Sequence, residues 1–168
     1  MEHLEIERKY LIRMPEESIL ASLPRSEIEQ IYILGDGGGR ERVRRRVYAD
    51  RTVYTHTAKK RLSEISRVEA EEEIGEEEFR AFLTKTDPSR RPIRKTRYLY
   101  DYQGQLFEID VFPFWSEYAL MELEMESEEQ KVCLPPDIPV VREVTSDGRF
   151  TNSAMAREVP RIKLENEV

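Results

Sequence analysis

Apolar and charged residues alternate along most of this chain. In the opening stretch MEHLEIERKYLI, Leu4, Ile6, Tyr10 and Ile12 fall on one parity, with Arg8 among them, while Glu5, Glu7 and Lys9 fall on the other. A β-strand sends successive side chains to opposite faces, so residues two apart share a side. The same period predicts strands over residues 27–34, 41–48 and 52–60, the last rich in Thr and Tyr. Residues 65–74 carry enough charge to suit a helix, but the flanking pattern favours a strand. A hairpin over 92–102 and 104–112 turns near Gln103-Gly104, and a further alternating run covers 118–126. Short helices are expected at 16–22, at 76–85 from the spacing of Phe79, Phe82 and Leu83, and at 151–159 with Thr151 or Asn152 as N-cap. REVTSD, 142–147, is expected as a last short strand. With no internal repeat or linker, residues 1–160 read as one domain and 161–168 as a tail.

The two parities differ in kind. One is largely apolar: Val43, Val68, Phe107, Ile109, Met121 and Leu123, interrupted by Arg45 and Glu72. The other is almost wholly charged. It carries Glu5, Glu7 and Lys9, then Arg42, Arg44 and Arg46, then Lys59 with Thr57 beside it. It continues through Arg67, Glu69 and Glu71, Lys95 and Arg97, Glu108 and Asp110, and Glu122 and Glu124. A half-exposed antiparallel sheet also alternates polar and apolar. Its wet face, however, usually carries Thr, Ser and Gln. Here like charges sit side by side on single strands, and Glu5 beside Glu7, or Arg42 beside Arg44, needs a counter-charge. An antiparallel sheet of this many strands can close on itself and lose its edges. With the charged face inward, it would enclose a wet tunnel suited to a charged ligand, covered outside by the short helices. Ion pairs alone would be a costly lining to desolvate.

Composition narrows the classes. The chain has 168 residues, 36% of them charged, and a formal net charge of -7, which argues against general nucleic-acid binding but not against a local basic pocket. Cys133 is the single cysteine, and the start does not read as a signal peptide, so a reducing cytoplasm is expected. No apolar run is long enough to span a bilayer, and no membrane partner is expected. His3 and His56 are too few for a histidine-rich zinc centre, which leaves a hard cation on carboxylates open.

The motifs are similar to those of the CYTH superfamily, the triphosphate tunnel metalloenzymes. EIERK at 5–9 resembles the opening ExExK signature, and RVR at 42–44 the paired arginines of an early tunnel strand. Lys59 in TAK, RVEAEEEI at 67–74, KTR at 95–97, FEIDVF at 107–112 and ELEME at 122–126 resemble later tunnel segments in the family's order. SDGRFTN at 146–152 resembles the closing segment and carries Arg149. The chain departs from the pattern at Lys59-Lys60-Arg61, where the family often has a glycine, and at Ser146-Asp147 in place of Gly-Asp. GDGGG at 35–39 is not a P-loop, since no Gly-Lys-Ser/Thr follows.

The resemblance implies an eight-stranded antiparallel closed β-barrel tunnel with short outer helices. It implies a metal-dependent triphosphatase, resembling the bacterial inorganic triphosphatases that act on tripolyphosphate. Arg42, Arg44, Lys59, Arg67, Lys95 and Arg97 become the phosphate clamp, and Arg149 would close it. Lys9 would hold an end phosphate or orient the attacking water. Mg²⁺ or Mn²⁺ would fall to Glu5 and Glu7, joined by Glu122 or Glu124. Glu69, Glu71, Glu108 and Asp110 would be further ligands or partners of the basic residues. Glu5 or Glu7 would orient water for in-line attack. Adenylate cyclase, thiamine or nucleoside triphosphatase, and a non-catalytic polyphosphate sensor are the rivals. Association as a homodimer is left open.

Overall fold

The computed structural model describes residues 2–35, 40–61, 63 and 65–162, without the side chains of residues 2, 3, 40, 59–61 and 67. Most of the GDGGG loop therefore lies outside the described residues. Strand β1 (Glu2–Arg13) uses both of its edges. One edge pairs with β8 (Tyr118–Glu124) from Glu7 to Arg13. The other pairs first with β5 (Ser66–Ile74), over Glu2 to Ile6, and then with the short β9 (Val140–Glu143), over Tyr10 to Ile12. Strands β2 (Arg25–Ile33), β3 (Arg40–Val47), β4 (Thr52–Arg61), β6 (Ile93–Tyr102) and β7 (Gln105–Val111) complete the circuit. The order is β5-β4-β3-β2-β6-β7-β8-β1, and the β1–β5 pairing closes eight antiparallel strands into a barrel.

Local chemistry explains the joints. Between β6 and β7 only Gln103 and Gly104 intervene, with φ of 49° and 73°. Two successive positive φ values make the tight turn whose twist suits a two-residue hairpin. Gly35 is tight for another reason: a Cβ there would lie 1.0 Å from Oε2 of Glu41. Helix α2 (Glu76–Phe82) starts at Gly75, whose N–H donates to Oε1 of Glu78, and three glutamates in its first turn suit the positive end of the helix.

The apolar parity packs outward beneath these coverings. Ile6, Ile12, Phe107, Ile109, Met121 and Leu123 form one core, covered by Ile19, Leu20 and Leu23 from α1 (Glu17–Ala21) and its exit. Phe79 of α2 packs with Ile31, Val43 and Ile74 on the far side. Phe107 is fully buried, and truncating such a ring to Ala costs about 3–5 kcal/mol.

The inward face changes character along its length. Leu11, Ile93 and Leu120 share the parity of Lys9, Lys95 and Glu122, yet they are buried with Phe112, Phe150 and Met155. One end of the barrel is therefore plugged by apolar side chains. The plug is held by a 3-10 turn at Gly148–Phe150 and by α3 (Asn152–Met155). Several expected boundaries move here. The last strand is Val140–Glu143 and not REVTSD, because Asp147 folds back to cap the 3-10 turn through the Arg149 N–H. The helix expected over 151–159 keeps only four residues, and α2 gives way to a 3-10 turn at Leu83–Lys85. Among the described residues, no helix is long and apolar enough to cross a membrane.

Candidate functional site

The charged parity encloses a cavity of about 270 Å³. Neighbouring strands divide it into two walls. On β7, β8, β1 and β5, the acidic wall carries Glu108, then Glu122 and Glu124, then Glu5 and Glu7, then Glu69 and Glu71. Across from it, β3 brings Arg42, Arg44 and Arg46, and β6 brings Lys95 and Arg97. Lys9 stands within the acidic wall. Glu5, Lys9, Glu69, Lys95, Arg97 and Glu122 are all buried. Asp110 lies behind Lys95 and Arg97 and is almost fully covered. The backbone positions of Lys59 and Arg67 face Glu69 and Glu5 in register, but their side chains lie outside the described residues.

Arg149 does not join the cavity. Two residues from Asp147, it donates from Nε and Nη2 at 3.0 and 2.6 Å, on the outside of the barrel. That local pair, fixed by the 3-10 turn, overrides the expectation that Arg149 closes the clamp. The closing segment contributes instead through Thr151, Asn152 and Ser153, which form the cavity floor. Lys95 donates to Oδ1 of Asn152 at 3.1 Å, and Lys9 donates to the Phe150 carbonyl at 3.1 Å. No periodic signal marks these floor residues in the sequence. Arg46 and Tyr32, by contrast, share the inward parity of their strands and could have been added on that ground. Tyr32 is buried, and its hydroxyl accepts from Gln30 at 3.4 Å.

The cations of β6 are committed to carboxylates. Arg97 forks onto Asp110 at 2.8 and 2.9 Å and reaches Glu108 at 2.7 Å. Lys95 lies 2.8 Å from the same Asp110. Burial alone would raise the Asp110 carboxyl, but Arg97 and Lys95 outweigh it and hold it well below the usual carboxylate range. Arg97 forks onto the same carboxylate and, as a like charge, works against the Lys95 ammonium. Burial lowers the Lys95 ammonium to about 7, against the partial support of Asp110. Burial would also raise Glu122, but the opposing pull of Lys9, at 3.2 Å, helps bring it down to about 2.

The arginines of β3 are under-neutralised. Burial and the neighbouring Arg42 and Arg97 lower Arg44 to about 9, while Glu71, its carboxylate partner among the described residues, is 3.6 Å away. An arginine does not surrender its proton at ordinary pH, so an anion rather than deprotonation would relieve this strain. Among the described residues, Nε of Arg42 and of Arg44 is buried without a hydrogen-bond partner, as are the hydroxyls of Thr55 and Thr57. In register, Arg42 faces Thr57 and Arg44 faces Thr55 across β3 and β4. Four orphaned groups on adjacent positions make a patch that an oxygen-rich anion would satisfy.

A closed antiparallel barrel with opposed acidic and basic inner walls defines a charge-lined tunnel protein. Residues 3–134 match the CYTH domain, and the chain belongs to that family. It is 33% identical over 160 residues to an inorganic triphosphatase of Nitrosomonas europaea, covering 93% of this chain and 99% of that one. A solved structure described as the inorganic triphosphatase NE1496 superposes with a TM-score of 0.60 at 32% identity, covering 94% of this chain and 100% of the other. The fold extends to the PH1012 protein of Pyrococcus horikoshii, with a TM-score of 0.53 at 20% identity, covering 73% of this chain and 80% of that one.

Proposed function

We propose that this protein hydrolyses a triphosphate in the charged cavity, with inorganic tripolyphosphate as substrate and diphosphate and phosphate as products. The observation that carries this reading is the orphaned patch on β3 and β4. Nε of Arg42 and of Arg44 and the hydroxyls of Thr55 and Thr57 are buried and lack hydrogen-bond partners among the described residues. Arg42, Arg44 and Thr57 line the cavity, where a chain of phosphate oxygens would meet them. The triphosphatase of Nitrosomonas europaea, similar over nearly the whole chain, supports the reaction class.

The choice of an inorganic substrate rests on the lining. Tyr32 is the only aromatic among the described lining residues, and its hydroxyl is engaged by Gln30. Its ring is buried in the plug's apolar cluster, so a base or thiazole would find little exposed face to stack on. Arg42 and Arg44 grip the non-bridging oxygens of the inner phosphates. Lys95 and Lys9, tied to the floor through Asn152 and the Phe150 carbonyl, hold positive charge at the plugged end. Glu5 or Glu7 accepts a hydrogen bond from water and aligns it for attack on the terminal phosphorus, opposite the breaking phosphoanhydride bond.

The donor chemistry suits Mg²⁺ or Mn²⁺. Among the described residues no three carboxylates converge as a ready-made metal cage. Mg²⁺ needs none, since one or two carboxylates plus substrate phosphates and water complete its shell. Glu5 and Glu7 would hold it, with Glu124 or the ionised Glu122 beside them on the neighbouring β8. When bound, the ion would neutralise charge on the phosphate oxygens.

Phosphate release from tripolyphosphate, ATP and thiamine triphosphate, measured side by side with and without chelator, tests the reading. Tripolyphosphate should give the highest kcat/KM, and excess chelator should abolish it. Higher efficiency on ATP would overturn the substrate, and full activity in chelator would overturn the metal.

A further inference from the structure

Outside the barrel, at its plugged end, lies a groove of about 800 Å³. Arg90, Arg142, Arg149, Arg157 and Arg161 line it, with Glu158 as the one carboxylate among the described lining residues. In a chain of formal net charge -7, such a concentration of guanidinium groups is unexpected. Two are internally spoken for: Arg90 by Asp87 and Ser153, and Arg149 by Asp147. Among the described residues, Arg142, Arg157 and Arg161 form no salt bridge. The guanidinium carbons of Arg142 and Arg149 both lie over the Phe150 ring, at 5.7 Å each, so the ring orients both heads along the groove. Pro160 and Ser153 are buried beneath, which gives the groove a rigid bed.

We propose that this groove is a second anion site, separate from the cavity, that takes a linear phosphate-chain anion without a base. Guanidinium forks match phosphate oxygens in pairs. The groove has roughly three times the volume of the inner cavity, room for a chain longer than a triphosphate. No aromatic ring is among its described lining residues, so they offer none of the stacking surface that single-stranded nucleic acids use. The acidic remainder of the molecule repels a long polyanion elsewhere and confines binding to the groove.

The test is calorimetric titration with tripolyphosphate and with a longer inorganic polyphosphate, in chelator. It compares wild type, R157E/R161E, R157K/R161K and R44A. Arg157 and Arg161 are exposed, so their variants should fold. Wild type should show two classes of site. R157E/R161E should lose one class and keep wild-type kcat/KM for tripolyphosphate, and R157K/R161K should retain both. R44A should lose the other class only. If only the site sensitive to R157E/R161E exists, the groove stands and the cavity reading falls. Unchanged stoichiometry in R157E/R161E would overturn the groove. So would a single-stranded DNA oligomer of equal charge that competes as well as polyphosphate.

Discussion

The two basic strands of the cavity look alike in sequence and differ in state. RVR on β3 and KTR on β6 each place two cations on the inward parity. On β6, the cations are bound to Asp110 and Glu108 at 2.7–2.9 Å. On β3, Arg44 has Glu71 at 3.6 Å and, like Arg42, an Nε without a partner. Their neighbours explain the difference. Strand β6 pairs with the acidic β7, so Asp110 faces Arg97 directly in register. Strand β3 lies between β2 and β4, where Gln30, Thr55 and Thr57 face its arginines. One pair therefore builds the wall, and the other keeps donors for the proposed anion.

The sharpest break in this comparison is R97A. It removes the fork on a fully buried carboxylate and leaves Asp110 to Lys95 alone. Breaking such a pair costs about 3–5 kcal/mol, so the urea midpoint should fall steeply. R44A should do the opposite: stability is kept, while kcat/KM for tripolyphosphate drops by about 10²–10³-fold, the usual loss for one preorganised donor. Steady-state kinetics beside circular dichroism separates the two outcomes.

Acid sensitivity sharpens the other wall. Glu122 is held at about 2 in the folded protein, below the carboxyl's ordinary value. The unfolded chain then binds more protons between these values, so stability rises with pH across that window. It is fully present above about pH 4.5 and lost as pH falls towards 2, on the order of 3 kcal/mol in all. Asp110 acts in the same direction. Urea midpoints for E122Q should therefore fall less than those of wild type between about pH 5 and pH 3. The smallest effect belongs to T57V, which removes one orphaned hydroxyl while nearly keeping volume. It should cost about tenfold in kcat/KM or less, as one neutral hydrogen bond does, with no loss of stability.

The barrel was legible because strand parity is a strict code. Glu5, Arg44, Glu69, Arg97 and Glu122 sit on inward positions that a period of two predicts, and all five line one cavity. The Gln103-Gly104 turn was legible from its residue types. What parity could not reveal is partnership. Arg97 and Arg44 are equivalent in pattern, and only the register of β6 against β7 distinguishes them. Nor could it reveal that Leu11, Ile93 and Leu120 turn the inward face into a plug, since the segment they meet, 148–155, is held by contacts far apart in sequence. Arg149 belongs to a motif and not to the strand parity, and Asp147 two residues away decides its place.

Unfolding of wild type and R44A, each with and without tripolyphosphate in excess chelator, tests most directly that β3 is left for an anion. Without the anion, R44A should match or exceed wild type in urea midpoint, because like-charge strain with Arg42 and Arg97 is relieved. With it, wild type should gain stability and R44A should gain far less. An R44A protein that is destabilised without ligand, or that gains as much from tripolyphosphate as wild type, would show that β3 is a wall like β6.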